Sequence, residues 1–277
     1  MARNNIPLGI LAAAICLLTL SCSTAPSPGS APFHWDAAKE TFLSGDYRKT
    51  SENLEKLAGM KSEFNGRIRP WRLIVLSGMV QANAEFADQF EQGARANKAN
   101  PTPFRREMDE SRALAARLAL TFGEAYAEFQ RVQPEGAATL DFPFPARGNL
   151  SLPSQIARIT AGSVYSSQEL EVVRSAMIQR GVIQAACQAV GATDDMARAR
   201  ELFKSPPIQI ERPTFEAGIA HGLYAAATLF GRDKRARPEQ QKFFHDQLVN
   251  IAKLNPSAPK LKDWISSLAM ELKAAGM

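Results

Sequence analysis

The sequence predicts an all-α protein, and three observations carry that reading. Apolar residues recur every three or four positions along most of the chain, which lines them up on one stripe of a helix. The breaks in that rhythm are rich in proline and glycine, as at Asn97–Pro103, Gln133–Pro153 and Asn255–Pro259. Strand-like patterning is confined to the tripeptide Ile208–Ile210, too short for a sheet of its own. With 277 residues the chain can hold one large domain or two small ones.

From the N-terminus, Met1–Asn5 carries a single cation, Arg3, and residues 6–21 form an uncharged run dominated by Leu, Ile and Ala. A span of the hydrocarbon core needs about 20 apolar residues. This run is shorter and is interrupted by Pro7 and Gly9, so its layout is that of a secretory signal. The segment ends Leu18-Thr19-Leu20-Ser21-Cys22, which resembles the lipobox of bacterial lipoproteins. It departs from the commonest form in having Thr19 where leucine is usual. The resemblance implies removal of residues 1–21 and attachment of lipid, palmitate among its acyl chains, at Cys22. A plain cleaved signal with an accidental cysteine is the alternative. Ser23, rather than an aspartate, follows the cysteine, which in that family implies the outer membrane on its periplasmic side. Residues 22–33 are rich in Ser, Pro, Gly and Ala and are expected to form a flexible tether.

The region 34–132 is expected to hold three helical stretches. In the first, HWDAAKETFLSGDYRKTSENLEKLA at residues 34–58, Ala38, Phe42, the turn Gly45-Asp46-Tyr47 and Leu54 resemble one tetratricopeptide repeat, a hairpin of two antiparallel helices. Thr50 and Ser62 depart from the alanine and proline of that pattern. The resemblance implies a solenoid-like array of helical hairpins. After Pro70, a usual residue of a first helical turn, the stripe Trp71, Val75, Gly78, Ala82, Phe86, Phe90 marks a long helix. Leu114, Leu118, Phe122, Ala125 and Phe129 mark another over Met108–Arg131.

Residues 133–153 contain four prolines and no sustained period. They are expected to be a connector, serving as a domain boundary in preference to a functional surface. Within 154–277, Ser166 and Glu169 have capping-box spacing and open a helix to Val190. Helices follow over Asp195–Lys204, Pro213–Phe230, Pro238–Leu254 and Lys260–Ala275.

Composition excludes more chemistry than it suggests. The charge of +5 falls to +4 if Arg3 is removed with the signal, mildly basic at most. Nucleophile-elbow, phosphate-loop, dinucleotide and paired-histidine zinc patterns are missing. His34, His221 and His245 are too far apart to share a helical face, so no metal and no cofactor is expected. Cys187 lies among alanines on an apolar helix, where buried structural cysteines sit. Glu124 and Glu128 share a face at i, i+4, as paired carboxylates for acid and base work would, though solvated faces carry such pairs more often. Gly231–Lys242 concentrates Arg232, Lys234, Arg235 and Arg237 around Asp233. It has no aromatic or glycine-rich reader of nucleic acid, and reads as a solvated loop or a contact for anionic groups of the envelope. The leading expectation is therefore a non-enzymatic envelope scaffold, with Trp35, Tyr47 and Arg48 as contacts for a protein partner. An envelope hydrolase of the cell wall, working through carboxylates, is the rival.

Overall fold

The computed structural model describes residues 26–132, 136–145, 150–232, 238–256, 258 and 260–277. Cys22 and the signal lie outside these, as do Lys234, Arg235 and Arg237. Ten helices run in the described residues: α1 Ala31–Ser44, α2 Tyr47–Ala58, α3 Asn65–Ala96, α4 Thr102–Val132, α5 Gln155–Thr160, α6 Ser167–Ala189, α7 Met196–Leu202, α8 Arg212–Arg232, α9 Pro238–Leu254 and α10 Leu261–Ala274. The all-α class holds.

Local signals account for most of the boundaries. Helix α1 starts inside the expected tether, because the Ser30 hydroxyl accepts from Phe33 N at 3.4 Å and Pro32 falls in the first turn, where its missing N–H costs nothing. Gly45 ends it at φ 81°, a left-handed conformation that glycine takes without steric cost. Asp46 caps α2 through Lys49 N. Both halves of the predicted capping box form on α6: Ser166 Oγ accepts from Glu169 N at 3.2 Å, and Glu169 Oε2 accepts from Ser166 N at 2.8 Å. Helix α3 begins five residues before Pro70 and runs through it, since Phe64 and Ile68 are buried there and hold the opening turn by packing.

Helices α1 and α2 form the expected hairpin. Ala38, Phe42, Tyr47 and Leu54 are all buried in it. Thr50, the departure from alanine, is buried too, and its hydroxyl bonds Thr41 Oγ1 at 3.1 Å and the Asp46 carbonyl at 3.0 Å. A regular array of equal hairpins does not follow. Helix α3 is 32 residues long and packs against α2, α4, α5, α6 and α8. In a solenoid, by contrast, each unit touches only its sequence neighbours. Glycines allow the closest approaches: a Cβ on Gly78 of α3 would stand 2.4 Å from Val182 Cα of α6, and one on Gly218 of α8 would stand 2.2 Å from the Gln188 carbonyl of α6.

The described part of the stretch 133–153 enters the core. Its residues Ala138–Leu140 form β1, paired antiparallel with β2, Ile208–Ile210, so the lone strand-like tripeptide has its partner in the connector. Phe142 then stacks on Trp71, centroids 4.6 Å apart at 12°. Beside it Asp141, 5% exposed, accepts from Trp71 Nε1 at 3.2 Å and from Arg67 Nε at 2.6 Å. A single apolar cluster runs from Trp35 to Leu268, through both sides of the expected boundary. A smaller one joins Phe86, Phe90 and Phe104 to α5 and the first half of α6.

Candidate functional site

The first unit's aromatic residues are not surface contacts. Trp35 is 4% exposed, stacked on Phe64 at 5.0 Å and covered by the Arg67 guanidinium, while Tyr47 is 1% exposed against Phe42. Both were expected as partner contacts, and both are instead core residues, Trp35 packed on Phe64 and the connector's Phe142 and Tyr47 packed within the hairpin on Phe42. Arg48 does lie at the surface, in an ion pair with Glu171 of α6 at 3.1 Å.

The carboxylate pair of the hydrolase reading is divided in the same way. Glu124 is exposed. Glu128 accepts from Arg69 Nε at 3.2 Å with Oε1 and from Arg72 Nη1 at 3.0 Å with Oε2. Arg72 in turn holds Glu55 through two parallel bonds of 2.7 Å, so the cluster ties α2 to α3 and α4. With both oxygens occupied by guanidinium groups, Glu128 is poorly placed to exchange protons with a substrate. The buried carboxylates differ in this respect: Glu107 pairs with Arg174 at 2.9 Å and Arg106 at 3.3 Å, one to each oxygen, whereas Glu216 takes Arg212 and Gln130, each at 2.8 Å, on Oε1 alone and leaves Oε2 without a hydrogen bond.

Among the described residues, neither cysteine nor histidine chemistry gathers into a site. Burial, reinforced by Asp194 and Asp195, pushes the Cys187 thiol up to about 12, which keeps it protonated and unreactive at neutral pH. His34 bonds Asn53, His245 bonds Asp246, and His221 lies edge-on to Trp264. Among the described residues no group of three or more His, Cys, Asp or Glu side chains could hold a metal ion, and no helix is long and apolar enough to cross a membrane.

The structure does open a groove of about 500 Å³, lined by Asp88, Glu91, Gln92, Arg95, Arg112 and Arg232. Its floor is the last third of α3. Positions 88, 91, 92 and 95 are spaced by threes and fours, so they share one face, opposite the one that buries Phe86 and Phe90. Arg112 of α4 reaches Glu91 Oε2 at 2.6 Å and lies 3.9 Å from Asp88 Oδ1. Arg95 pairs with the other oxygen of Glu91. From the last turn of α8, where a cation also suits the negative end of the helix dipole, Arg232 Nη1 bonds both oxygens of Asp88 at 3.1 Å. Burial pushes the Glu91 carboxyl up, but the hydrogen bonds and charges of Arg112 and Arg95 outweigh it and hold the group below the usual carboxylate range.

Of the expected anionic-contact residues, Arg232 is thus placed on this groove. The other five lining residues were missed by sequence reasoning. Their signal was present in ADQFEQGAR, residues 87–95, as an i, i+3, i+4, i+7 polar face behind an aromatic stripe, but nothing in one strand of sequence reports that α4 and α8 each bring an arginine to it. No protein-family model matches the chain, and no curated protein or solved structure is significantly similar to it.

Proposed function

We propose that the protein is a lipid-anchored scaffold or accessory factor of a bacterial cell envelope, held by acylated Cys22 at the outer membrane and binding a protein partner in the periplasm. The observation that supports the binding reading is the groove itself: open, charged and lined by partly exposed Asp88 and Glu91, while the buried carboxylates Asp141, Glu107 and Glu216 all lie elsewhere. A hydrolytic site would need a carboxylate set apart from water and free to move a proton. Lipid on Cys22 would add about 0.8 kcal/mol of membrane affinity per buried methylene, and more than one chain would make the attachment stable. The helical body would stand off the bilayer on the segment before α1.

The anchor and the scaffold are tested separately. Intact mass of membrane-extracted protein should show loss of residues 1–21 with acylation, and Cys22→Ser should release the chain from membranes; mature protein that keeps Met1–Ser21 would remove the anchor. For the scaffold, a photoreactive residue in place of Gln92, in the full chain in its native cell, should give one discrete cross-linked protein. No adduct, together with turnover of cell-wall material abolished by Glu124→Gln or Glu128→Gln, would replace the scaffold by the hydrolase.

A further inference from the structure

We propose that the groove between α3, α4 and α8 receives an acidic segment of the partner protein in extended conformation, its carboxylates held by Arg95, Arg112 and Arg232. This rests on the binding function proposed above. The sign of the ligand follows from the lining. Three guanidinium groups face two carboxylates, so the ring of residues carries one positive charge in excess. Each guanidinium has five N–H donors, whereas the pairs within the groove engage one nitrogen of each: Arg95 Nη2, Arg112 Nη2 and Arg232 Nη1. An incoming cation would find both carboxylates already covered by arginine, whereas an incoming carboxylate would find donors to spare.

Shape argues for a segment over a lone anion. Asp88 to Arg95 is seven residues of helix, about 10 Å at 1.5 Å per residue, and Arg232 sits at the Asp88 end with Arg95 at the other. Alternate side chains of an extended strand point the same way and stand roughly 7 Å apart. Two acidic residues separated by one other can therefore reach both ends at once. Adaptation is cheap, because the Arg95 side chain is 75% exposed and its i, i+4 pair with Glu91 is a surface ion pair, which contributes little to stability. Releasing it to a second carboxylate costs little structure.

The experiment is fluorescence anisotropy of a labelled peptide of alternating Glu and Gly, titrated with the full chain in detergent at low salt. Binding is expected, and it should weaken as ionic strength rises. Arg95→Glu turns the excess charge from +1 to −1 and should weaken binding about tenfold or more, while Asp88→Asn raises the charge to +2 and should tighten it. Circular dichroism checks that both variants keep the fold, which is expected because Arg95 is largely in water and Asp88, partly exposed, forms its ion pairs with other groove side chains. A purely structural role for these residues would not make the two substitutions act in opposite directions. Preference for a Lys-Gly peptide, weakening by Asp88→Asn, or no effect of Arg95→Glu would overturn the proposal. So would complete displacement by inorganic phosphate at the peptide's own concentration, since that would mean a site for a single oxyanion. If the peptide fails while the Gln92 cross-link to a partner persists, the acidic-segment inference falls and the scaffold remains.

Discussion

Gly78→Ala should destabilise the protein by about 2 kcal/mol, although alanine is the better helix former by about 1 kcal/mol. Gly78 lies at the crossing of α3 with α6. The added Cβ would stand 2.4 Å from Val182 Cα, 2.7 Å from Val182 N and 2.7 Å from the Gly181 carbonyl oxygen, all backbone atoms of the neighbouring helix. Ordinary contact begins at 3.4 Å, so the two helices must part by about 1 Å, and no side chain can swing aside to spare them. Overpacking of a close-packed core costs about 1–3 kcal/mol. A backbone obstacle puts this case at the upper end, near 3, from which the propensity gain of about 1 is subtracted. Gly66→Ala, in the first turn of the same helix, is the control: its Cβ meets nothing within 4 Å, and it should be neutral to stabilising by up to about 1 kcal/mol. Urea denaturation followed by circular dichroism measures both, with the midpoint moving at unchanged slope. At roughly 2–4 °C per kcal/mol for a chain of this size, the melting temperature of Gly78→Ala should fall by about 4–8 °C. A Gly78→Ala protein as stable as the parent would mean that α3 and α6 do not meet backbone to backbone, and would undo the account of α3 as the helix on which the rest is packed.

Asp141→Ala should cost about 2 kcal/mol, chiefly because Trp71 Nε1 is left buried without an acceptor, while the half-exposed Arg67 turns to water; Asp141→Asn, which can still accept from the indole, should cost less in the same denaturation series, and equal losses would refute that division. Burial, with Lys260 adding to it and Asp194 opposing, lowers the His221 imidazole to about 4 from its ordinary 6.5. A folded-state value below the unfolded one means that the unfolded chain takes up the proton first, so stability is complete above about 6.5 and falls as the pH drops toward 4. The loss between pH 7 and pH 5 should be about 2 kcal/mol at 1.36 kcal/mol per unit. His221→Gln should flatten that slope, and an unchanged slope would show that other groups carry it.

The helices were legible because their signals are local. The Ser166 and Glu169 side chains sit three residues apart and close on each other, and the turn glycine Gly45 takes the positive φ that the hairpin reading needs. Pro238 and Leu254 bound α9 where sequence puts them, between a loop and an Asn-Pro break. What was not legible depends on distant partners. Residues 133–153 look like a spacer because proline removes helical period, yet Phe142 finds Trp71 seventy-one positions away in sequence, and Asp141 finds both Arg67 and Trp71. Trp35 and Tyr47 look like anchors on a first hairpin, but Trp35 becomes core once Phe142 of the connector and Phe64 cover it, and Tyr47 is buried against Phe42. The groove needed three helices to be seen together, and only Arg232 was marked in advance, for its basic neighbours in sequence.

Helix α3 explains why a charged groove stands at that end of the molecule. Over its middle third it is surrounded, and residues 73–80 are buried without exception. Near its end only one side stays covered: Phe86, Phe90 and Gly93 face α5 and Phe104, with a Cβ on Gly93 standing 2.4 Å from the Ile159 carbonyl. The opposite side, Asp88 to Arg95, is left to the polar flank of α4 and the last turn of α8. Its backbone is therefore as fixed as the core behind it, while the Arg95 and Arg232 side chains lie exposed at the rim and Arg112 is partly buried between them. Catalysis by charge depends on groups held in place and screened from solvent, where they act at low dielectric. Recognition of a charged segment asks less: a rigid floor that fixes the spacing of the charges, and long side chains that can close on carboxylates as these arrive. Spacing set by the helix and adaptation left to arginine are the two properties on which the proposed recognition rests.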